Sequence, residues 1–497
     1  MLTWELSEND AYIGSKFSMP KTHYDKLYQH QKEGISWLTN IFFSDHLVKG
    51  ALLNDDMGLG KTIQTICFLK GLFKGKAIKN ALIVAPVSVF DSWMRELNHW
   101  AGNINCLILS SKLPLHEFNK ALRLFKEGGM VLVTNYQLIQ SRSDKFSDAF
   151  STDVLVLDEG HCLKGRNTKT TKSVRSINAK FRLLLSGTVI QNNIDELWSL
   201  FDVIGQGKII GSYSNFSSRF KKQLKNVTFI YCVSQIDENS AENQVAMSSL
   251  KKMIDPYILS RSKSILNVLK AKKFEYVVWL QLLANQEEVY KRIVKGVVLE
   301  EMKKQPFIYI NQLRRACSIA HLGQFQASVL RENLNTESLS KVLASSTKLK
   351  FLDEFIPFLH ETKFKCLFFA RNLLTLDYIE MIIKSKDKDL NSLRLDGDTD
   401  NSERQKLVNE FNENENIFAF LCTIQCGSVG LTLTVDPEWN PAIDEQAVDR
   451  AYRIKQTKDV VTFRFITCNT VEESLYYKQT VKSSMKKSFF EGNLHKS

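Results

Sequence analysis

The sequence predicts an α/β protein built from two doubly wound parallel-sheet lobes with helical insertions between them. Three observations carry this reading. At 497 residues the chain is too long for one hydrophobic core and suits two domains plus insertions. From Val48 to Thr188, short apolar runs alternate with amphipathic stretches, the pattern of successive β-α-β units. The alternation lapses from about Phe201 to Leu343 and resumes at Lys365.

Gly50-Ala51-Leu52-Leu53, Ala81 to Pro86, Met130 to Thr134, Val154 to Asp158 and Phe181 to Ser186 read as strands of the first lobe. They are continuous apolar runs rather than alternating ones, because helices cover both faces of a parallel sheet. The middle region is charged, helical in propensity and poor in strand signals, with Tyr276 to Leu280 the exception. Stretches such as Gln286 to Arg292 read as exposed helix faces. Lys365 to Ala370, Leu393 to Asp396, Ile417 to Cys422 and Val460 to Phe465 supply strands for a second lobe. The expected division is a first lobe over 1–275, with a helical protrusion from about residue 202, and a second part over 276–497. The latter would begin with a helical linker to about residue 343.

The net charge of +12 and pI near 9.0 suit a polyanionic partner or a generic basic surface. Nine scattered cysteines, an odd count, argue against a disulfide framework. Cys422 and Cys426 lack a second pair at zinc spacing and read as packing residues. Met1 to Glu5 lacks the basic and apolar regions of a signal peptide, and no run approaches 18 apolar residues. The expectation is a reducing intracellular compartment, no membrane, and no room for an accessory module after the second lobe.

Asp56-Met57-Gly58-Leu59-Gly60-Lys61-Thr62 follows a strand and precedes an apolar helix. Gly58 and Gly60 let backbone N–H groups face phosphate, Lys61 reaches the β and γ phosphates of ATP, and Thr62 offers a ligand to Mg²⁺. The fully spaced pattern has glycine where this chain has Asp55. Asp158 and Glu159 end an apolar run, at the carboxyl edge where open α/β sheets bind ligands. Asp158 suits Mg²⁺ through water, and Glu159 suits orienting and deprotonating an attacking water. Ser186-Gly187-Thr188 can sense phosphate through its hydroxyls. Gln31 is either a reader of the adenine edge or a surface glutamine. Arg450 and Arg453 lie three residues apart on one helix face, with Gln446 a turn earlier. They are candidates for stabilising charge on the γ-phosphate, or else members of a solvated helix.

Taken in order, these strings resemble the SWI/SNF-type helicase-like ATPases of helicase superfamily two. The resemblance rests on Gln29 to Gly34, Asp55 to Thr62, Asp158 to His161 and Ser186 to Asn192, then on Gly427 to Thr434, Trp439-Asn440-Pro441 and Gln446 to Arg453. Within that family, Gln29 to Gly34, Asp255 to Arg261 and Val471-Glu472-Glu473 resemble the branch of the Cockayne syndrome B protein and PICH. The resemblance implies two RecA-like lobes with helical protrusions, DNA-stimulated ATP hydrolysis, and translocation on duplex DNA without strand separation. It also implies a nuclear protein acting on DNA or chromatin, in repair or remodelling.

The chain departs from the family pattern at Gly160, Ser186, Val189 and Lys455. More seriously, Val435 alone joins Thr434 to Asp436-Pro437, where the family has an apolar strand. One residue spans at most about 3.5 Å, too little for a further strand. The second lobe is therefore expected either to lose a central strand or to redraw its neighbours, with slowed hydrolysis. Two other readings stay open: a strand-separating helicase, and a DNA-binding scaffold with a weakened motor.

Overall fold

Continuous apolar runs pair edge to edge when both faces of the resulting sheet can be buried. That is their arrangement in a computed structural model of the chain, which describes residues 3–45, 48–102, 104–146, 150–187, 194–221, 241–265, 272–296, 306–323, 334–362, 364–387, 390–423, 431–436 and 459–480. The chain divides into two compact units between Ile265 and Leu266.

The first unit opens with a small antiparallel sheet of β1 (Trp4–Leu6), β2 (Asp10–Ile13) and β3 (Ser18–Pro20). Its main sheet contains β4 (Gly50–Leu53), β5 (Asn80–Val84), β6 (Asn105–Ile108), β7 (Met130–Thr134), β8 (Ser151–Leu157), β9 (Asn178–Leu185) and β10 (Ile258–Leu259). The order is β10-β4-β9-β8-β5-β7-β6, with every neighbour parallel. Phe68, Trp93, Phe181 and the inward residues of β4, β5 and β9 share one core. The helix Ile194–Gly205 also belongs to this unit, with Leu197, Leu200 and Phe201 fully buried.

The second unit contains β11 (Lys273–Leu280), β12 (Cys366–Phe369), β13 (Asn391–Leu395), β14 (Ile417–Cys422), β15 (Leu431–Thr434) and β16 (Val460–Thr467). The order is β11-β16-β15-β12-β14-β13, again parallel throughout. Helices Ala284–Lys295, Pro306–Ser318 and Thr336–Leu343 lie in the region where strand signals lapse, and Thr347–Glu361 follows it.

The α/β class and both parallel sheets thus match expectation. The feared gap near Val435 does not. β15 is formed by Leu431–Thr434, the segment assigned to a loop, and it pairs with β12 on one side and β16 on the other. The slot is filled, so the central backbone groups of the sheet keep ladder partners. Of the two outcomes expected for this lobe, redrawing of the neighbours is the one observed. Four residues suffice because β12, its neighbour, is equally short.

Candidate nucleotide site

β4, β9 and β8 are consecutive in the first sheet, so the segments leaving their carboxyl ends lie side by side. After β4 comes the glycine-bearing loop, after β9 comes Ser186-Gly187, and after β8 come Asp158 and Glu159.

Gly58 (φ 92°) and Gly60 (φ 83°) both take left-handed backbone, which a side chain would strain. Gly60 is also crowded: a Cβ there would sit 2.3 Å from Gln31 Nε2. Helix Lys61–Lys74 starts at Gly60 with no side-chain cap. Its first N–H groups and the positive end of its dipole therefore suit an anion. Lys61 Nζ donates to the Asp55 carbonyl at 2.5 Å and the Asp56 carbonyl at 3.3 Å, so the ammonium is held over the loop. A Cβ on Gly187 would lie 3.8 Å from Lys61 Nζ, which brings the end of β9 up to the lysine.

The Asp158 carboxylate is half-buried at the end of β8. Its Oδ2 accepts from Trp93 Nε1 at 2.8 Å and its Oδ1 from the Glu159 N–H at 2.9 Å. Desolvation, then the neighbouring Glu159 charge, pushes it up to about 6 against the pull of these hydrogen bonds. Tyr136 donates to the Asp158 carbonyl at 2.5 Å, and burial pushes the Tyr136 hydroxyl well up. Glu159 has φ 51°, a strained setting for a residue with a side chain. Its Oε2 lies 3.2 Å from His161 Nδ1. The neighbouring Cys162 and Glu159 side chains push His161 up to about 9. Gly160 has a local reason: a Cβ there would meet Leu184 Cγ at 2.8 Å.

Gln31 is not a surface glutamine. It is buried, its Oε1 accepts from the Tyr28 N–H at 3.1 Å, and its Nε2 donates to the Leu59 carbonyl at 3.3 Å. His30 Nε2 reaches the same carbonyl at 2.9 Å. Helix Gln29–Phe43 therefore supports the glycine loop from below.

Sequence reasoning missed the loop's other support. Asp55, noted only as a departure from glycine, is fully buried and takes a two-pronged contact from Arg261, Nε to Oδ1 at 2.9 Å and Nη2 to Oδ2 at 2.6 Å. Arg261 lies 206 residues away, so no local pattern could reveal the pair.

In the second unit Gln446, Arg450 and Arg453 lie outside the described residues, as does Thr188 in the first. The segment just before them is described. Lys348, completely buried, donates to the Val435 carbonyl at 2.7 Å and to Glu472 Oε1 at 2.7 Å, and lies 3.4 Å from Asp436 Oδ1. Burial opposes the charge, but Glu472 and Asp436 outweigh it and hold the ammonium above its usual range. Asp436 also accepts from Ser318 Oγ at 2.5 Å and the Arg371 N–H at 3.1 Å.

A glycine-bearing strand-to-helix loop, a paired acidic motif and a second parallel-sheet unit are the parts of a helicase-like ATPase core. The chain belongs to the SNF2-related family: the SNF2-related domain matches residues 30–322 and the helicase conserved C-terminal domain matches 347–455. It is 32% identical to the DNA excision repair protein ERCC-6-like of Mus musculus, over 97% of this chain and 43% of that protein. It is also 32% identical to Protein CHROMATIN REMODELING 24 of Arabidopsis thaliana, over 96% of this chain and 47% of that protein. The chain thus spans less than half the length of these relatives. Among solved structures it is similar to the Sulfolobus solfataricus SWI2/SNF2 ATPase core in complex with dsDNA, at 24% identity and TM-score 0.45, covering 94% of this chain and 93% of that one.

Proposed function

We propose that the chain is a DNA-dependent ATPase that translocates on duplex DNA without separating the strands. The observation that supports this most is the adjacency of β4, β9 and β8, which gathers Lys61, Ser186-Gly187, Asp158 and Glu159 at one edge of the sheet. In this reading the N–H groups after Gly58 and Gly60 and the Lys61 ammonium bind the ATP phosphates. A partly desolvated carboxylate and a hydroxyl suit a hard cation, so Thr62 and Asp158 are the residues that would hold Mg²⁺. The metal would neutralise phosphate charge. Glu159 orients the attacking water and accepts its proton. Arg450 and Arg453, with Gln446, complete the site from the second half of the chain. Hydrolysis then requires closure, which couples chemistry to movement along DNA.

Gln31 acts in this reading chiefly through the loop it supports. The excess of 12 positive charges suits sequence-independent contact with DNA phosphates, and the expected setting is the nucleus, on DNA or chromatin. The test is steady-state ATP turnover with and without duplex DNA, with binding measured across salt. Duplex DNA should stimulate turnover, and affinity should fall steeply between about 50 and 200 mM salt. A flat salt response, or no stimulation by any DNA, would overturn the motor. Strand displacement in a fluorescent unwinding assay would favour a helicase. DNA binding without turnover would favour a scaffold.

A further inference from the structure

The phosphate loop is gripped by a segment from the far end of the first unit. β10 adds to β4, and the pairing continues past the strands: the Asn54 N–H donates to the Leu259 carbonyl at 2.7 Å and the Asp56 N–H to the Arg261 carbonyl at 2.9 Å. Asn54 Nδ2 donates to Ser260 Oγ at 2.8 Å, and the Lys263 N–H donates to Asp56 Oδ2 at 3.1 Å. Residues 259–263 therefore run along the loop backbone from Asn54 to Asp56.

Arg261 locks this arrangement with its guanidinium. Besides its fork on Asp55, its Nη2 donates to Gln64 Oε1 at 2.9 Å and its Nη1 donates to the His30 carbonyl. Gln64 in turn donates to Asp55 Oδ2 at 3.1 Å and to the Leu59 carbonyl at 3.4 Å. One planar cation thus ties together the loop, the helix that follows it and the helix carrying Gln31. Room for the fork is made by Gly34, where a Cβ would fall 1.9 Å from Gln64 Oε1 and 2.8 Å from Arg261 Nη2. Lys61 is bonded to the carbonyls of Asp55 and Asp56, the two residues that this segment holds.

We propose that Arg261 is a positioning residue that sets the phosphate loop, and through it Lys61, for nucleotide binding. Its side-chain hydrogen bonds run to protein groups of the loop and its flanking helices. The first unit ends at Ile265, four residues beyond Arg261, so the chain that leaves the unit is the same chain that braces the loop. A lysine keeps the charge but cannot make a two-pronged, planar contact. Loss of the fork should loosen the loop and weaken binding of the diphosphate moiety, more than it slows turnover once ATP is saturating.

This inference rests on the nucleotide-site reading, so the test begins with Mg·ADP binding to the full chain, by calorimetry. Wild-type protein should bind and Lys61→Ala should not; failure there removes the site and this inference together. Given wild-type binding, Arg261→Lys should raise the Kd for Mg·ADP and the KM for ATP about tenfold, with kcat at saturating ATP changed less than threefold. Because a buried ion pair with imperfect geometry can unfold the variant, the neutral pair Asp55→Asn with Arg261→Gln is the companion. It should melt close to wild type yet keep the weakened Mg·ADP binding. Wild-type Mg·ADP affinity in either folded variant would overturn the proposal. So would a loss of activity in Arg261→Lys that follows the fraction unfolded, with KM unchanged.

Discussion

Two corners of this molecule leave the carboxyl edge of a parallel sheet in similar ways and are finished in opposite ones. In the first unit the chain turns out of β4 into a loop that leads to an uncapped helix start and a lysine bonded to backbone carbonyls. In the second unit the chain turns out of β15 at Val435-Asp436 and meets a fully buried lysine satisfied by Glu472, Asp436 and a carbonyl. In the proposed function, the first corner exchanges these contacts for a phosphate. The second has its charges matched and is fitted to hold the chain in place. A cation at a strand end is thus a binding group when its partners are exchangeable, and a structural one when they are buried carboxylates.

Removing the two lysines breaks this comparison most directly. Lys61→Ala should abolish ATP hydrolysis while leaving the fold intact, read by phosphate release and circular dichroism; substantial turnover from clean protein would place the phosphate lysine elsewhere. Next in size is Glu159→Gln, which should retain Mg·ATP binding and lose about 10²–10⁴ in rate, the usual contribution of a general base. A loss below tenfold would assign the base to another group.

Lys348→Met should leave Mg·ADP binding by the first unit unchanged. It should destabilise the second unit by about 3–5 kcal/mol, since it strands Asp436 and Glu472 without their cation. Separate denaturant transitions would reveal it, and a shift under about 1 kcal/mol would mean that the network is solvated.

The smallest effect sharpens the contrast from the other side. The folded-state pKa of Asp158 is raised from 3.8 to about 6, so the native protein holds a proton that the unfolded chain releases. Stability from this group is greatest at low pH and is lost as pH rises between these values. Asp158→Asn should therefore stabilise the nucleotide-free protein by roughly 1–3 kcal/mol at pH 7.5 and by little at pH 4, while weakening Mg²⁺-dependent nucleotide binding. Equal melting shifts at both pH values would contradict the buried-charge account. The redrawn sheet also changes an expectation about the second unit: an apolar strand inserted after Thr434 has no open slot to enter, so it should not raise thermal stability.

The α/β class and most of the buried strands are legible in contiguous residues, as is the glycine-lysine string proposed as the phosphate loop. Apolar runs of four to eight residues specify buried strands, and two glycines before a lysine specify a phosphate cradle. Short or half-exposed strands escaped. β6 carries Asn105 and an exposed Leu107 at the sheet edge, β10 has two residues, and β15 looked like part of a loop. Only the tertiary structure decided that Leu431–Thr434 closes the second sheet, since register depends on which neighbours present free hydrogen-bonding edges. Only it turned Gln31 inward to the Leu59 carbonyl, joined Asp55 to Arg261, and buried Lys348 between Asp436 and Glu472. The physical reason is the same in each case. A buried charge or amide must find its partner wherever the fold brings one, and sequence distance does not constrain that choice.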